Sequence, residues 1–301
     1  MVDLSKMSTE RVNPNTVELS SMSIREAIEV INRENYNAVA CIEGQYEMLE
    51  KVIHVTSDVL EQGGRIIYMG AGTSGRIGLL DAVECPPTFG VDFNTVIGLI
   101  AGGDNAFVKA VEGAEDSQEF AVEDLKKIGL SEKDVVIGLA ASGRTPYVIG
   151  GLKYAKEIGA KYCAVVCNKD SEIGRICPLT IEAEPGPEVL TGSTRLKAGT
   201  TTKLILNMIS TISMIRIGKI YKNYMVDVKM SNEKLVTRGT NIVSAVTGCS
   251  HEEAKEALAK SGGGVRTAIA MLLLGCGKEE AESALQAVNG RIQSLEKEGQ
   301  K

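Results

Sequence analysis

Between residues 65 and 182 the chain alternates short, fully apolar runs with stretches of helix length. The runs are Arg65 to Met69, Phe93 to Ile100, Asp134 to Ala140, Lys161 to Cys167 and Leu179 to Glu182. None shows the polar alternation of a half-exposed strand, so each is expected to be covered on both faces. Helical spacing falls between them, at Arg76 to Val83, Ala106 to Ile128 and Tyr147 to Ile158. This alternation predicts an α/β fold, a doubly wound parallel five-stranded sheet whose ligand sits at the carboxyl ends of the strands.

On either side the pattern is helical. Residues 1–22 are polar and rich in Ser, Thr and Asn, and are expected to form an extended arm. Ser23 and Glu26 then make a capping-box pattern ahead of Ala27, Ile28, Val30 and Ile31. A longer helix is expected from about Ala38 to Leu60, ended by Gly63-Gly64. Downstream, one long helix is expected from Leu196 to about Tyr224, and beyond about Met230 no strand signal remains. Ser250 with Glu253 makes a second capping box, helices fit Val265 to Leu274 and Lys278 to Val288, and a charged tail follows Arg291. The expected division is an α/β domain with its N-terminal helical arm over residues 1–228 and a small C-terminal helical bundle over 229–301.

Composition narrows the chemistry. The 301 residues carry a net charge of −6, with 44% hydrophobic and 24% charged residues, enough apolar material for a sizeable core. That acidic balance, with 4% aromatics and no Trp, argues against a nucleic-acid surface. Only His54 and His251 are present, so imidazole-based metal sites and triads have little material and acid–base work falls to carboxylates. Seven Cys without paired zinc-type spacing suggest free thiols in a reducing compartment. The start is polar, and no run approaches about 18 uninterrupted apolar residues. A soluble cytoplasmic protein with no membrane partner is the expectation.

Two loops stand out. The first run leads into Gly70-Ala71-Gly72-Thr73-Ser74-Gly75-Arg76, which has the G-x-G-x-x-G spacing of a dinucleotide fingerprint. No acidic residue ends the following run, where Leu99 to Gly103 would have to meet a ribose. The third run leads into Ala141-Ser142-Gly143-Arg144-Thr145-Pro146, repeating the Ser-Gly-Arg element. Two hydroxyl-rich loops suit a phosphate monoester and sugar hydroxyls better than a pyrophosphate, because glycine admits backbone N–H groups and the following helix points its positive end at the anion. The plainer reading is that such loops only turn the chain. Arg76 and Arg144 are weaker candidates, since most arginines are surface charges. A third loop, Pro187 to Arg195, places Ser193 and Thr194 to cap the long helix or to complete the sugar site.

The carboxylates need a choice the spacing does not make. In Asp81 to Gly90 the double proline is expected to end a helix, leaving Glu84 at its C-terminus, where the dipole tends to raise a carboxyl pKa toward that of a general acid. Val111-Glu112-Gly113-Ala114-Glu115-Asp116 reads as a charged helix interrupted by glycine, with nothing to distinguish Glu115 from its neighbours. Cys85 has no His or second Cys near it in sequence, so packing is its expected role.

At these residues the chain resembles a known family. GAGTSGRIGLLDAVECPPTFG at Gly70 to Gly90, VEGAED at Val111 to Asp116 and PEVLTGSTRLKAGTTTKLILNMIST at Pro187 to Thr211 look like N-acetylmuramic acid 6-phosphate etherases, members of the sugar isomerase (SIS) superfamily to which the mammalian glucokinase regulatory protein is related. The resemblance covers nearly the whole chain. It implies a SIS fold, an αβα sandwich, and cleavage of a lactyl ether to N-acetylglucosamine 6-phosphate and D-lactate in cell-wall sugar recycling, without metal or organic cofactor. The family's two catalytic glutamates fall on Glu84 and Glu115. By the same resemblance Gly72, Thr73, Ser74, Ser142, Gly143 and Thr145 hold phosphate and sugar, Ser193 and Glu188 are further candidates, and whether Glu188 or Lys203 touches substrate is left open. A homodimer is expected, with the arm and the long helix as candidate contacts. A phosphosugar isomerase and a non-catalytic phosphosugar sensor are the alternatives.

Overall fold

A computed structural model describes residues 7–109, 111–228 and 233–298. Residues 1–6 of the expected arm, Ala110 of an expected helix, the expected domain boundary at 229–232 and the last three residues of the expected tail lie outside the described residues. The chain divides into two compact units, residues 1–83 with 94–210, and residues 84–93 with 211–301.

The first unit opens with α1 (Ile24–Ala40) and α2 (Tyr46–Glu61). It then alternates β1 (Ile66–Gly70), α3 (Gly72–Phe89), β2 (Val96–Ile100), α4 (Asn105–Val108), α5 (Gln118–Lys127), β3 (Val135–Ala140), α6 (Pro146–Ile158), β4 (Lys161–Val166), α7 (Glu172–Ile176) and β5 (Thr180–Glu182). The five strands form one parallel sheet in the order β2-β1-β3-β4-β5. Every residue of β1 and β3 is buried, as continuous apolar runs demand. Because alternate residues face opposite ways, Ile67, Met69 and Val136 join the layer under α5 and α6, while Tyr68 and Leu139 meet Gly78 of α3 on the other face. The polar residues that open these two runs are also used. Arg65 donates through Nε and Nη2 to the two carboxylate oxygens of Asp134, at 3.0 and 2.7 Å, clamping the starts of the two central strands together.

α8 (Lys197–Arg216) closes the sandwich sequence. The second unit continues with an antiparallel hairpin, β6 (Ile220–Tyr221) and β7 (Tyr224–Met225), then α9 (Glu233–Thr247), α10 (His251–Ser261), α11 (Val265–Leu274), α12 (Lys278–Ala287) and α13 (Ile292–Glu298). Its core gathers Tyr221, Val226, Val243, Leu258, Ile269, Leu285, Ile292 and Leu295. Asp227 receives Arg266 bidentately at 2.6 and 2.7 Å and fixes the hairpin's exit to α11.

Both capping boxes form, at Ser23–Glu26 and Ser250–Glu253. Several expected elements change. The helix expected over Ala38 to Leu60 is divided by a 3-10 turn at Glu43–Gln45. That expected over Ala106 to Ile128 is broken, because Gly113 takes φ +74° and a 3-10 turn follows at Ala114–Asp116. α8 stops before Gly218, at φ +79°, and the hairpin replaces its expected last turns. The tail after Arg291 is helical through Glu298, with Ile292 and Leu295 buried. The arm is three 3-10 turns rather than extended chain, and Thr9, Asn13 and Thr16 are buried. α3 runs through Pro86 and Pro87 to Phe89. Proline's fixed φ of about −65° is helical, so what the pair removes is two N–H donors, near a helix end where one turn fewer of bonding is tolerable. Among the described residues no single helix is long and apolar enough to cross a membrane.

Candidate active site

The connection from β1 leads to β2 on one side of the sheet and that from β3 leads to β4 on the other, so the crevice between the ends of β1 and β3 is the topological switch point. The register pairs Gly70 with Leu139, which brings the loops after both strands out side by side. Steric fit shapes each loop. A Cβ on Gly75 would lie 2.6 Å from the Gly70 carbonyl oxygen, so only glycine lets α3 start this close to β1. Gly143 takes φ +71°, and a Cβ there would lie 2.4 Å from Cβ of Ser171.

Above these ends opens a cavity of about 470 Å³, within the range of small-molecule sites. Gly72, Thr73 and Ser74 line it from the first loop, and Ser142, Arg144 and Thr145 from the second. Glu115 and Asp116 enter from the 3-10 turn, Thr194 from the third loop, and Glu10 from the arm. The first turns of α3 and α6 both begin at the cavity wall, and Pro146 opens α6 with the preset φ of a first helical residue. Their amino ends supply positive potential to a polar, hydroxyl-lined pocket. A smaller cavity of about 210 Å³ adjoins it and shares Ala71, Gly72 and Glu115.

The two arginines separate. Arg144 lines the main cavity, whereas Arg76 donates through Nε and Nη2 to the carbonyls of Phe107 and Ala106, both at 2.8 Å, and pins the segment leading to Glu115. Gly143 lies beneath the loop rather than on the cavity wall; its carbonyl accepts from Ile173 N–H at 2.9 Å. Glu188 corrects an expectation. It is fully buried, and its two oxygens accept from the N–H groups of Lys197 and Ala198, each at 2.9 Å. Those are first-turn donors of α8, so Glu188 caps the helix as Ser193 and Thr194 were expected to, and its lone pairs are committed to the backbone. Ser193 is outside the wall that Thr194 joins.

Lys203 lies on α8. Cys85 is buried, in keeping with a packing role. Burial pushes the Cys167 thiol up to about 12, so Cys167 is inert at neutral pH. Glu84 is exposed on α3, in the second compact unit. It comes eleven residues after Thr73 on the same helix, about 16 Å of rise. With α3 continuous through Phe89, Glu84 is not the helix-terminal carboxylate the sequence suggested.

Spacing in the sequence missed Glu10 and Asp116. It also missed Asn168, which is buried beneath the second loop: it donates to the Ala141 carbonyl at 2.9 Å and to Thr9 Oγ1 at 3.0 Å. No periodic or motif signal marks Glu10 or Asn168, because each acts through a fold-dependent approach; Asp116 lies in the quoted VEGAED stretch, but nothing there set it apart from its neighbours.

Comparison with known proteins fits this geometry. A model of the glucokinase regulatory protein N-terminal SIS domain matches residues 47–156, a SIS domain model matches 116–216, and a model of the C-terminal lid domain of glucokinase regulatory protein matches 222–266. The chain is 57% identical over 271 residues to an N-acetylmuramic acid 6-phosphate etherase from Bacillus mycoides, covering 90% of this chain and 92% of that one. The chain belongs to the N-acetylmuramic acid 6-phosphate etherase family. A second such etherase, from Francisella tularensis subsp. holarctica, is 56% identical over 270 residues with the same coverage. Among solved structures, phosphoheptose isomerase from Neisseria gonorrhoeae superposes with a TM-score of 0.50 at 16% identity, over 63% of this chain and 98% of that one. At that identity the likeness speaks for the fold, which this etherase family member shares with SIS isomerases.

Proposed function

We propose that the chain is a carbon–oxygen lyase that cleaves the D-lactyl ether of N-acetylmuramic acid 6-phosphate, giving N-acetylglucosamine 6-phosphate and D-lactate. One observation carries the reading: two hydroxyl-bearing loops at the switch point share one cavity with the Glu115 carboxylate. Thr73, Ser74, Ser142 and Thr145, the amino ends of α3 and α6, and Arg144 suit a phosphate monoester.

Opening the sugar ring exposes the C1 aldehyde, which acidifies the hydrogen on C2. Glu115 takes that proton, the electron pair forms the C2–C3 double bond, and the C3–O bond to lactate breaks. A general acid protonates the departing lactyl oxygen, and the same group, now a base, activates the water that adds to C3. C2 regains a proton from Glu115. The sum is hydrolysis of an ether without change in oxidation state. Glu84 is assigned as that acid. No metal or organic cofactor takes part in this scheme.

The assignment of Glu84 brings a homodimer with it. Since Glu84 follows Thr73 by about 16 Å of helix, we assign it to the cavity of a second copy, α3 meeting its counterpart through the half-exposed Leu80 and Val83 beside Glu84. In this reading the phosphosugar-binding domain is the unit of residues 1–83 and 94–210, and the helical domain expected over 229–301 takes in the preceding hairpin, whose Tyr221 packs in its core. A cytoplasmic location follows from a phosphorylated substrate and from seven free cysteines.

The test is D-lactate release from N-acetylmuramic acid 6-phosphate. Wild type is expected to release it, and Glu115→Ala to lose at least about 100-fold in rate. Glu84→Ala is expected to stop lactate release while C2 proton exchange continues in deuterated water. Folded wild type that releases no lactate would overturn the reading in favour of a sensor or an isomerase.

A further inference from the structure

We infer that Glu10 is a substrate-contacting residue that accepts hydrogen bonds from the neutral donors of the sugar, its hydroxyls and acetamido N–H, and that the N-terminal arm is built to deliver it. This rests on the phosphosugar reading of the cavity.

The arm is fastened at several buried points. Thr9 N–H donates to Oδ1 of Asn168 at 3.3 Å, and Nδ2 of Asn168 donates to Thr9 Oγ1 at 3.0 Å and to the Ala141 carbonyl at 2.9 Å. One amide thus ties the arm to the loop that carries Ser142 and Thr145. Four residues later, Nδ2 of Asn13 donates to Glu34 at 2.8 Å and to the Pro187 carbonyl at 3.0 Å, tying the arm to the third loop as well. Thr9 is wholly buried and Asn13 almost so, but Glu10 between them is half-buried and lines the cavity.

The position of its carboxylate is informative. Oε2 lies 3.3 Å from where a Cβ on Gly192 would be, so a side chain at Gly192 would press on it. Among the described residues neither oxygen of Glu10 has a hydrogen-bond or ion-pair partner, whereas the side chains of the neighbouring Thr9 and Asn13 are both hydrogen-bonded. A cavity-facing acceptor with its lone pairs unused is suited to a ligand donor. Charge decides which donor. Glu10 shares the wall with Glu115 and Asp116, so it repels the phosphate and the lactyl carboxylate and turns toward the uncharged face of the sugar. The loops hold the anion; Glu10 reads the sugar.

Glu10→Ala and the shape-conserving Glu10→Gln would be assayed for D-lactate release and titrated calorimetrically with N-acetylglucosamine 6-phosphate and with inorganic phosphate. Loss of hydrogen bonds to a charged acceptor should raise KM and the Kd for N-acetylglucosamine 6-phosphate by about 10- to 100-fold in Glu10→Ala, and less in Glu10→Gln. The kcat is expected to stay within about threefold, because Glu10 is assigned no proton transfer. Phosphate affinity should be unchanged or tighter, since a repelling charge is gone. Unchanged KM and Kd in both variants would overturn the inference, as would a parallel weakening of phosphate binding, which would mean that the loops themselves had been disturbed. Wild type that binds N-acetylglucosamine 6-phosphate but releases no lactate would count against the etherase reading and leave the calorimetric test of Glu10 intact.

Discussion

Lys197 is a charge with no exposed surface, and its Nζ lies 2.6 Å from Oε2 of the buried Glu34. Burial alone would raise the Glu34 pKa, yet hydrogen bonds from Lys197, Asn15 and Asn13 bring it down to about 2. The sign of the linkage follows. Above about pH 4.5 Glu34 is ionised folded or unfolded, and the network contributes fully; as pH falls toward 2 the unfolded chain takes the proton first and that contribution is lost. Urea midpoints measured against pH should therefore fall steeply between about 4.5 and 2, with a weaker fall in Glu34→Gln. Lys197→Met strands the buried carboxylate and should cost about 3–5 kcal/mol in the same measurement at pH 7. Neither residue carried a sequence signal, being 163 positions apart. Gly143 did, as part of a repeated Ser-Gly-Arg element. Gly143→Ala should abolish phosphosugar binding in calorimetry with a loss of about 1–3 kcal/mol in stability, since it meets both a left-handed backbone and Ser171.

At the scale of elements, what is local was legible. Buried strands declared themselves as continuous apolar runs, and the two capping boxes marked helix starts to the residue because each bond closes within three positions. Ser23→Ala and Ser250→Ala are each expected to lower stability by about 1 kcal/mol in urea unfolding, with cooperativity unchanged, and a loss under about 0.3 kcal/mol would show that water replaces the cap. The elements misjudged are those in which a tertiary contact outbids local preference. Pro86-Pro87 stay inside α3 although the sequence argues for a break, and Cys85, buried just before them, packs that last turn in place. The stretch around Glu115 reads as helix, but Arg76 holds the carbonyls of Ala106 and Phe107, and Gly113 turns the chain so that Glu115 faces the cavity. The consequence for the site is direct. A continuous helix there would have set Glu112, Glu115 and Asp116 on one face, as i, i+3 and i+4, whereas the 3-10 turn sends Glu115 and Asp116 to the main cavity and leaves Glu112 on the wall of the smaller one.

For the whole molecule, the parallel five-stranded sheet and the carboxyl end at which the candidate loops meet followed from the alternation of runs and helices, whereas the order β2-β1-β3-β4-β5, which sets the switch point, is read from the fold alone. The reach of one copy did not follow either, because it depends on the length of α3. That helix begins at the cavity with Thr73 and carries Glu84 about 16 Å further on, so two carboxylates assigned to one reaction start from different places in a single chain. A homodimer that exchanges Glu84 resolves this, and it can be tested by complementation. Glu84→Ala and Glu115→Ala variants, each inactive alone, would be mixed in equal amounts, dissociated and reassociated at random. Half of the dimers would then be mixed, and each mixed dimer would hold one site with both glutamates if Glu84 crosses the boundary, giving about a quarter of wild-type lactate release. If Glu84 instead served its own chain, every site in the mixed dimer would lack one carboxylate, and the mixture would stay at the level of the single variants. Light scattering on the same samples checks that dimers have re-formed, so that recovered activity is read against the number of mixed dimers. A molecule that stays monomeric at assay concentration while wild type releases lactate would exclude the exchange outright.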